Sequence, residues 1–306
     1  MIEQTLNNVF GYSEFRAGQR AVIEALVEGR SAAAIFPTGS GKSLCYQLPA
    51  LHLPHLTLVV SPLLALMQDQ LDFLARLGIA AASIDSRQSR EEASAVMDGV
   101  RRGEIRILMI SVERLKNERF RAFLRQLPVS LLVVDEAHCL SEWGHNFRPD
   151  YLKLPDYQRE FAIPQALLLT ATATPRVIAD MRESFAIESR DVTLTGFYRA
   201  NLNLLVQPVA AEQRARALRD WLRPRLAGDA PQPSIVYVTL QKRAEQLAAY
   251  LDKAGILARA YHAGLKNDAR DALQRAFMNG EVNCIVATIA FGMGIDMADI
   301  RNVVHV

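Results

Sequence analysis

Apolar and polar positions along this chain follow two alternating rhythms. Short aliphatic and β-branched runs recur at positions 32–36, 57–61, 105–110, 131–135, 166–170, 234–239, 283–288 and 302–306. Each has the length of a strand, and most are apolar without strict alternation, the pattern of strands buried on both faces. Between them lie longer stretches, such as 20–28, 63–77 and 242–254, whose apolar residues return every three or four positions and predict amphipathic helices. Strands alternating with helices predict an α/β fold of parallel sheets covered on both sides.

The chain divides most naturally near 203–210, after a stretch of mixed character and before the helical pattern around 214–223. Two domains are expected, 1–206 and 207–306, which suits a length of 306 residues. A second loop signal, Ala227-Gly228-Asp229-Ala230-Pro231-Gln232-Pro233, precedes a predicted strand and reads as a loop inside the second domain. Half of the residues are apolar and 22% are charged, ordinary proportions for a globular chain with a sizeable core. No run of ~18 apolar residues predicts a membrane span. Met1-Ile2-Glu3-Gln4 does not open a secretory signal. Cys45, Cys139 and Cys284 are far apart and form no C-x-x-C pair. Reduced thiols in a cytoplasmic protein are expected, with neither a disulfide framework nor zinc. Net charge is +2, with 13 Lys and Arg against 10 Asp and Glu from residue 207 onward and 22 against 23 before it. Neither half carries the basic excess that marks a nucleic-acid binder, so any such reading rests on motifs.

Phe36-Pro37-Thr38-Gly39-Ser40-Gly41-Lys42-Ser43 follows a predicted strand and precedes a helical stretch, the setting of a phosphate-binding loop. Gly39 and Gly41 can take positive φ, which lets backbone N–H groups between Thr38 and Ser43 approach phosphate oxygens. Lys42 supplies a point charge for the β and γ phosphates of ATP, and Ser43 a hydroxyl ligand to Mg²⁺. The strict pattern has glycine where this chain has Phe36, and the alternative is a glycine-rich turn that binds nothing.

Leu131-Leu132-Val133-Val134-Asp135-Glu136-Ala137-His138 is an apolar strand ending in adjacent carboxylates. Successive strand residues face opposite sides, so the two acids can hold separate roles. Asp135 is placed to hold Mg²⁺, usually through water, and Glu136 to orient and deprotonate an attacking water. Alone, solvated acids at a strand end would explain the string equally well. With a phosphate-binding loop roughly 90 residues upstream in a parallel sheet, ATP hydrolysis becomes the expected reaction. His138 reads either as a satisfied, partly buried histidine or as the residue that couples nucleotide state to a DNA site.

Two further stretches complete the pattern: Phe10-Gly11-Tyr12-Ser13-Glu14-Phe15-Arg16-Ala17-Gly18-Gln19 and Cys139-Leu140-Ser141-Glu142-Trp143-Gly144-His145-Asn146-Phe147-Arg148-Pro149-Asp150-Tyr151. With them the chain resembles the RecQ family of DNA helicases, in superfamily two, through nearly all of its length. The resemblance implies two tandem RecA-like P-loop domains with parallel sheets. The first stretch is similar to the family's nucleotide-recognition segment, which implies Tyr12 stacking on adenine, Gln19 reading its polar edge and Arg16 fixing the base. The second resembles the family's aromatic-rich loop. Trp143, His145, Phe147 and Arg148 are π-faced or cationic groups of the kind that stack on unpaired bases, at ~1–3 kcal/mol each, and pair with phosphates. A small apolar cluster under a loop is the competing reading. Ser61-Pro62-Leu63-Leu64-Ala65-Leu66-Met67-Gln68-Asp69-Gln70 is similar to a segment that helps grip the DNA backbone, and Ser111-Val112-Glu113-Arg114-Leu115 to a further DNA-contacting motif. Thr170-Ala171-Thr172-Ala173-Thr174 resembles the segment linking hydrolysis to strand separation, which gives Thr170 and Thr172 that role.

In the second half, Ser234–Thr239 with Gln241-Lys242-Arg243, Ala260–Leu265 and Val286–Asp296 are similar to the family's later motifs. The resemblance implies Thr288 touching a DNA phosphate, Gly292 and Gly294 letting backbone approach the nucleotide, and Asp296, where many relatives carry Asn, contacting ribose. A tight turn after a strand would also account for the two glycines. The sequence closes on Val303-Val304-His305-Val306, ahead of the arginine-rich motif of the family, so an incomplete second domain and weak hydrolysis are expected. The expected function is a monomeric, ATP- and Mg²⁺-dependent 3′-to-5′ DNA helicase motor acting on single-stranded and forked DNA in recombination and repair. The alternatives are an ATP-gated nucleic-acid-binding module without turnover and an RNA helicase. The loop 143–148 and the segment 12–19 argue against the RNA helicase.

Overall fold

The computed structural model describes residues 1–62, 64–85, 88–143, 148–196, 201–228, 230–288, 291 and 300–306. Two compact units, Met1–Ala200 and Asn201–Val306, are each built round a parallel sheet. The division lies six residues ahead of the one expected from sequence.

The first sheet contains β1 (Ala32–Ile35), β2 (Leu56–Val60), β3 (Ala81–Ile84), β4 (Ile107–Ile110), β5 (Val129–Val134), β6 (Ala166–Thr170) and β7 (Val192–Leu194). Their spatial order is β3-β4-β2-β5-β6-β1-β7, all parallel. Residues alternate between two cores: Ala33 and Ile35 of β1 join one, Ala32 and Ala34 the other, and β5 sends Leu132 and Val134 one way, Leu131 and Val133 the other. Five helices cover the second of these faces: α1 (Ile2–Asn8), α2 (Gln19–Val27), α3 (Leu44–Gln47), α4 (Pro49–His52) and α5 (Leu64–Arg76). Four cover the first: α6 (Arg90–Arg101), α7 (Glu118–Leu124), α8 (Leu154–Glu160) and α9 (Pro175–Phe185). Each buried Leu, Ile or Phe between these layers contributes about 1.5–3 kcal/mol, so the sheet is a rigid platform for whatever leaves its edge.

The helices start where local chemistry dictates. Ser89 and Glu92 form a reciprocal capping box at α6, and Thr174 Oγ1 accepts from Val177 N–H at 3.3 Å to start α9, with Pro175 in its first position.

The second unit has β8 (Ser234–Tyr237), β9 (Ala258–Tyr261), β10 (Cys284–Ala287) and β11 (Asn302–His305), ordered β11-β8-β10-β9 and all parallel. Helices α10 (Arg214–Leu226) and α11 (Gln241–Lys253) pack Leu218, Leu222, Leu247 and Leu251 on one face. Helix α12 (Asn267–Met278) places Phe277 on the other. Among the described residues, no helix is long and apolar enough to cross a membrane.

Candidate nucleotide site

After β1 the chain crosses over β6 and β5 to enter β2, so the strand order switches direction beside β1. In open parallel sheets such a switch opens a crevice at the carboxyl ends of the strands. Four strand ends meet there: β1 runs into 36–43, β6 ends at Thr170, β5 leads to Asp135 and Glu136, and β2 to Ser61.

The phosphate loop turns at Gly39 (φ +80°) and Gly41 (φ +79°), values that L side chains rarely adopt. Its shape is held from α2 and the segment before it. Gln19 is buried; its Nε2 donates to the carbonyls of Ser40 (3.2 Å) and Gly41 (2.9 Å), and its Oε1 accepts from Arg16 N–H (2.8 Å). Arg16 Nη1 donates to Gly39 O at 2.8 Å. A Cβ on Gly41 would lie 2.7 Å from Gln19 Nε2, so the glycine is needed for the clamp as well as for the turn. Gln19 and Arg16, expected at the adenine, thus spend these polar groups on the loop itself, while Tyr12 is 44% exposed. Thr38 is exposed at the loop's tip. Lys42 Nζ donates to Phe36 O (3.0 Å) and Pro37 O (3.3 Å), curled over the loop's own carbonyls. Burial lowers its pKa, opposed by the charges of Glu136 and Asp135.

Strand β5 stops at Val134, so both acids lie just beyond it. Asp135 N–H still donates to Val60 O (2.9 Å), and its carboxylate accepts from Ser61 Oγ (3.0 Å) and Glu136 N–H (3.0 Å). Burial first, and the neighbouring Glu136 second, push its pKa up to about 6. Glu136 adopts left-handed backbone angles, φ 50° and ψ 45°, which turn the chain into a short 3₁₀ segment carrying His138.

His138 is buried, and Nδ1 lies 3.0 Å from Thr170 Oγ1 and 3.3 Å from Glu136 Oε2. Thr170 Oγ1 donates to Thr172 O (2.9 Å) and lies 3.3 Å from the Thr172 N–H that it accepts. The hydroxyl proton being used, the hydrogen between His138 and Thr170 belongs to the imidazole. Burial by itself would lower the His138 pKa, but contacts with Cys139 and Glu136 prevail and raise it to about 9. A continuous polar line therefore runs Glu136–His138–Thr170–Thr172.

The segment after the acids is tied to α9. Ser141 Oγ donates to Asp180 Oδ2 (2.5 Å) and accepts from Trp143 N–H (3.2 Å). The Arg176 guanidinium lies 3.7 Å from the centre of the Trp143 ring, which is 59% exposed. Arg148 is half-buried and its N–H donates to Cys139 O (3.1 Å). In the second unit Thr288 is buried at the end of β10, its N–H donating to Tyr261 O (3.2 Å). His145, Phe147, Gly292, Gly294 and Asp296 lie outside the described residues.

Four participants escaped the sequence reading in these roles: Ser61 at Asp135, Gln70 at Ser43, and Arg176 and Asp180 under the aromatic segment. Gln70 Nε2 donates to Ser43 Oγ at 2.7 Å. The residues present fit Mg²⁺ and ATP. A half-buried carboxyl, raised by burial and then by its acidic neighbour, favours an added cation, and the loop offers a lysine and positive-φ turns to phosphates. Among the described residues no three His, Cys, Asp or Glu side chains gather in one place.

Comparison with known proteins accords with this geometry. Residues 16–181 match the profile of the DEAD/DEAH box helicases, and 214–306 that of the helicase conserved C-terminal domain. The ATP-dependent DNA helicase RecQ of Bacillus subtilis (strain 168) is 40% identical over 305 residues, 99% of this chain and 51% of that protein. The probable ATP-dependent DNA helicase RecS of the same bacterium is 39% identical over 308 residues, 99% of this chain and 60% of that protein. The chain thus spans half to three-fifths of the length of these curated relatives. Among solved structures, helicase Lhr of Mycobacterium smegmatis bound to ssDNA and AMP-PNP superposes with a TM-score of 0.71 at 20% identity, covering 97% of this chain and 42% of that one. S. cerevisiae Dbp5 bound to RNA and ADP BeF3 gives 0.69 at 16% identity, covering 99% and 77%. These likenesses establish the fold, two RecA-like α/β units. With the family profile over more than half of its length and RecQ-type homologues over nearly all of it, the chain belongs to the DEAD/DEAH box helicase family.

Proposed function

We propose that this chain is the ATP-driven motor of a RecQ-type DNA helicase, converting ATP hydrolysis into 3′-to-5′ movement along single-stranded DNA and opening of forked duplexes, in recombination and repair. The observation that carries the reading is the hydrogen-bonded line from Glu136 through His138 to Thr170, because it joins the hydrolytic carboxylate to the segment that leads into α9. Helix α9 in turn holds Trp143 through Arg176 and Ser141 through Asp180. One path thus connects the attacking water's base to an exposed aromatic face.

The residues divide the work. The positive-φ loop and Lys42 receive the triphosphate, and Tyr12 stacks on the base. Ser43 and Asp135 are the ligands for Mg²⁺, which when bound neutralises phosphate charge. Glu136 orients water for in-line attack. Trp143 stacks on an unpaired base, and Arg148 and Thr288 meet phosphates. RecQ-type relatives at about 40% identity support DNA over RNA as the track.

Strand displacement tests direction. With ATP and Mg²⁺, a labelled strand should leave a duplex bearing a 3′ single-stranded tail and remain on one bearing a 5′ tail, with Lys42→Ala inert on both. Equal displacement from the 5′ tail would contradict the polarity.

A further inference from the structure

We propose that the stretch leading from β2 into α5 is the outer support of the Mg²⁺ site, with Ser61 and Gln70 as positioning residues for its two protein ligands. The inference rests on the nucleotide reading above and deepens it. Its resemblance assigns this stretch to the DNA backbone; its hydrogen bonds point the other way, into the nucleotide site.

Two separate contacts carry the proposal. Ser61, buried one residue past β2, donates from Oγ to Asp135 Oδ2 at 3.0 Å. Strands β2 and β5 are direct neighbours, and Asp135 N–H donates to Val60 O, so the sheet itself fixes this donor against this acceptor. With Glu136 N–H on Oδ1, each Asp135 oxygen accepts one bond and keeps its remaining lone pairs for a cation or a cation-bound water.

Nine residues further on, Gln70 donates from Nε2 to Ser43 Oγ at 2.7 Å. The orientation of this amide is not free. Gln70 Oε1 accepts from Tyr46 Oη (2.9 Å) and from Gln47 Nε2 (2.8 Å), both on buried side chains of α3. Burial pushes the Tyr46 pKa up, which keeps the phenol protonated and a donor. With its oxygen claimed by two donors, the amide must turn its NH₂ to Ser43. The serine oxygen then spends one lone pair on Gln70, and its hydroxyl rotor is set with the other lone pair free for metal. One short stretch therefore sets the aim of both oxygens on which the metal depends, although the two lie far apart in sequence. Groups behind the ligands govern metal affinity by fixing ligand direction, and their loss typically costs about 10–100-fold.

The test is the gain in affinity for N-methylanthraniloyl-ATP on going from EDTA to Mg²⁺, read by fluorescence on the whole chain, with thermal melting as the check of folding. The wild-type gain tests the nucleotide reading by itself: no response to Mg²⁺ would bring that reading down, and this inference with it. Given a wild-type gain, Ser61→Ala and Gln70→Met should each reduce it about tenfold or more while shifting affinity in EDTA by no more than about twofold. Ser61→Thr, which keeps the hydroxyl, should retain it. A gain equal to wild type in both variants would overturn the proposal. So would an equal loss of affinity in EDTA and in Mg²⁺, since that is what mere packing predicts.

Discussion

Glu136 holds a backbone conformation that costs a non-glycine residue about 1–3 kcal/mol, and residues kept in such states cluster where geometry is functional. Here the turn swings His138 back beneath the strand end, where one imidazole nitrogen faces both Glu136 and Thr170. Because the folded state raises the His138 pKa from an ordinary 6.5 to about 9, its charged form favours folding. That contribution is complete below 6.5 and is lost as pH rises through about 9. The melting temperature of the wild type should therefore fall across this window, and fall less in His138→Ala; parallel pH profiles would remove the charged histidine from the account. At this scale the phosphate loop and the paired acids stood out as candidates through residue type and local spacing, and Trp143 through the family resemblance. Ser61 and Gln70 were not legible in their roles, since their partners lie 74 and 27 positions away and only strand order and helix packing bring them together.

Among elements, α9 has the most varied duty. It begins at the end of the Thr170–Thr174 segment, buries Val177, Met181 and Phe185, and presents Arg176 and Asp180 to the aromatic segment. Its start depends on the Thr174 cap, and Thr174→Ala should cost about 1 kcal/mol, or roughly 2–4 °C in melting temperature for a unit of this size. An unchanged melting curve would mean that the cap is dispensable. The strands that sequence pattern missed share one property. β3, β7 and β9 are all edge strands, and Ala81-Ala82-Ser83-Ile84 or Ala258-Arg259-Ala260-Tyr261 lack the continuous apolar character that two covered faces impose on central strands. The central strands, by contrast, were found to within about two residues, the usual looseness of element ends.

For the whole molecule, a net charge of only +2 says little about a polyanionic track, so the DNA reading stands on the path from Glu136 to Trp143 and on RecQ-type relatives. The two-unit α/β plan was legible because repeated strand–helix alternation needs no knowledge of distant contacts. The measurement that bears most directly on the motor is steady-state ATP hydrolysis in Mg²⁺, alone, with single-stranded DNA and with an RNA of the same sequence, against Lys42→Ala as the blank. Hydrolysis that depends on Lys42 and rises with DNA well beyond its rise with RNA is the predicted result. Hydrolysis indifferent to DNA, or stimulated by RNA instead, would contradict the central claim.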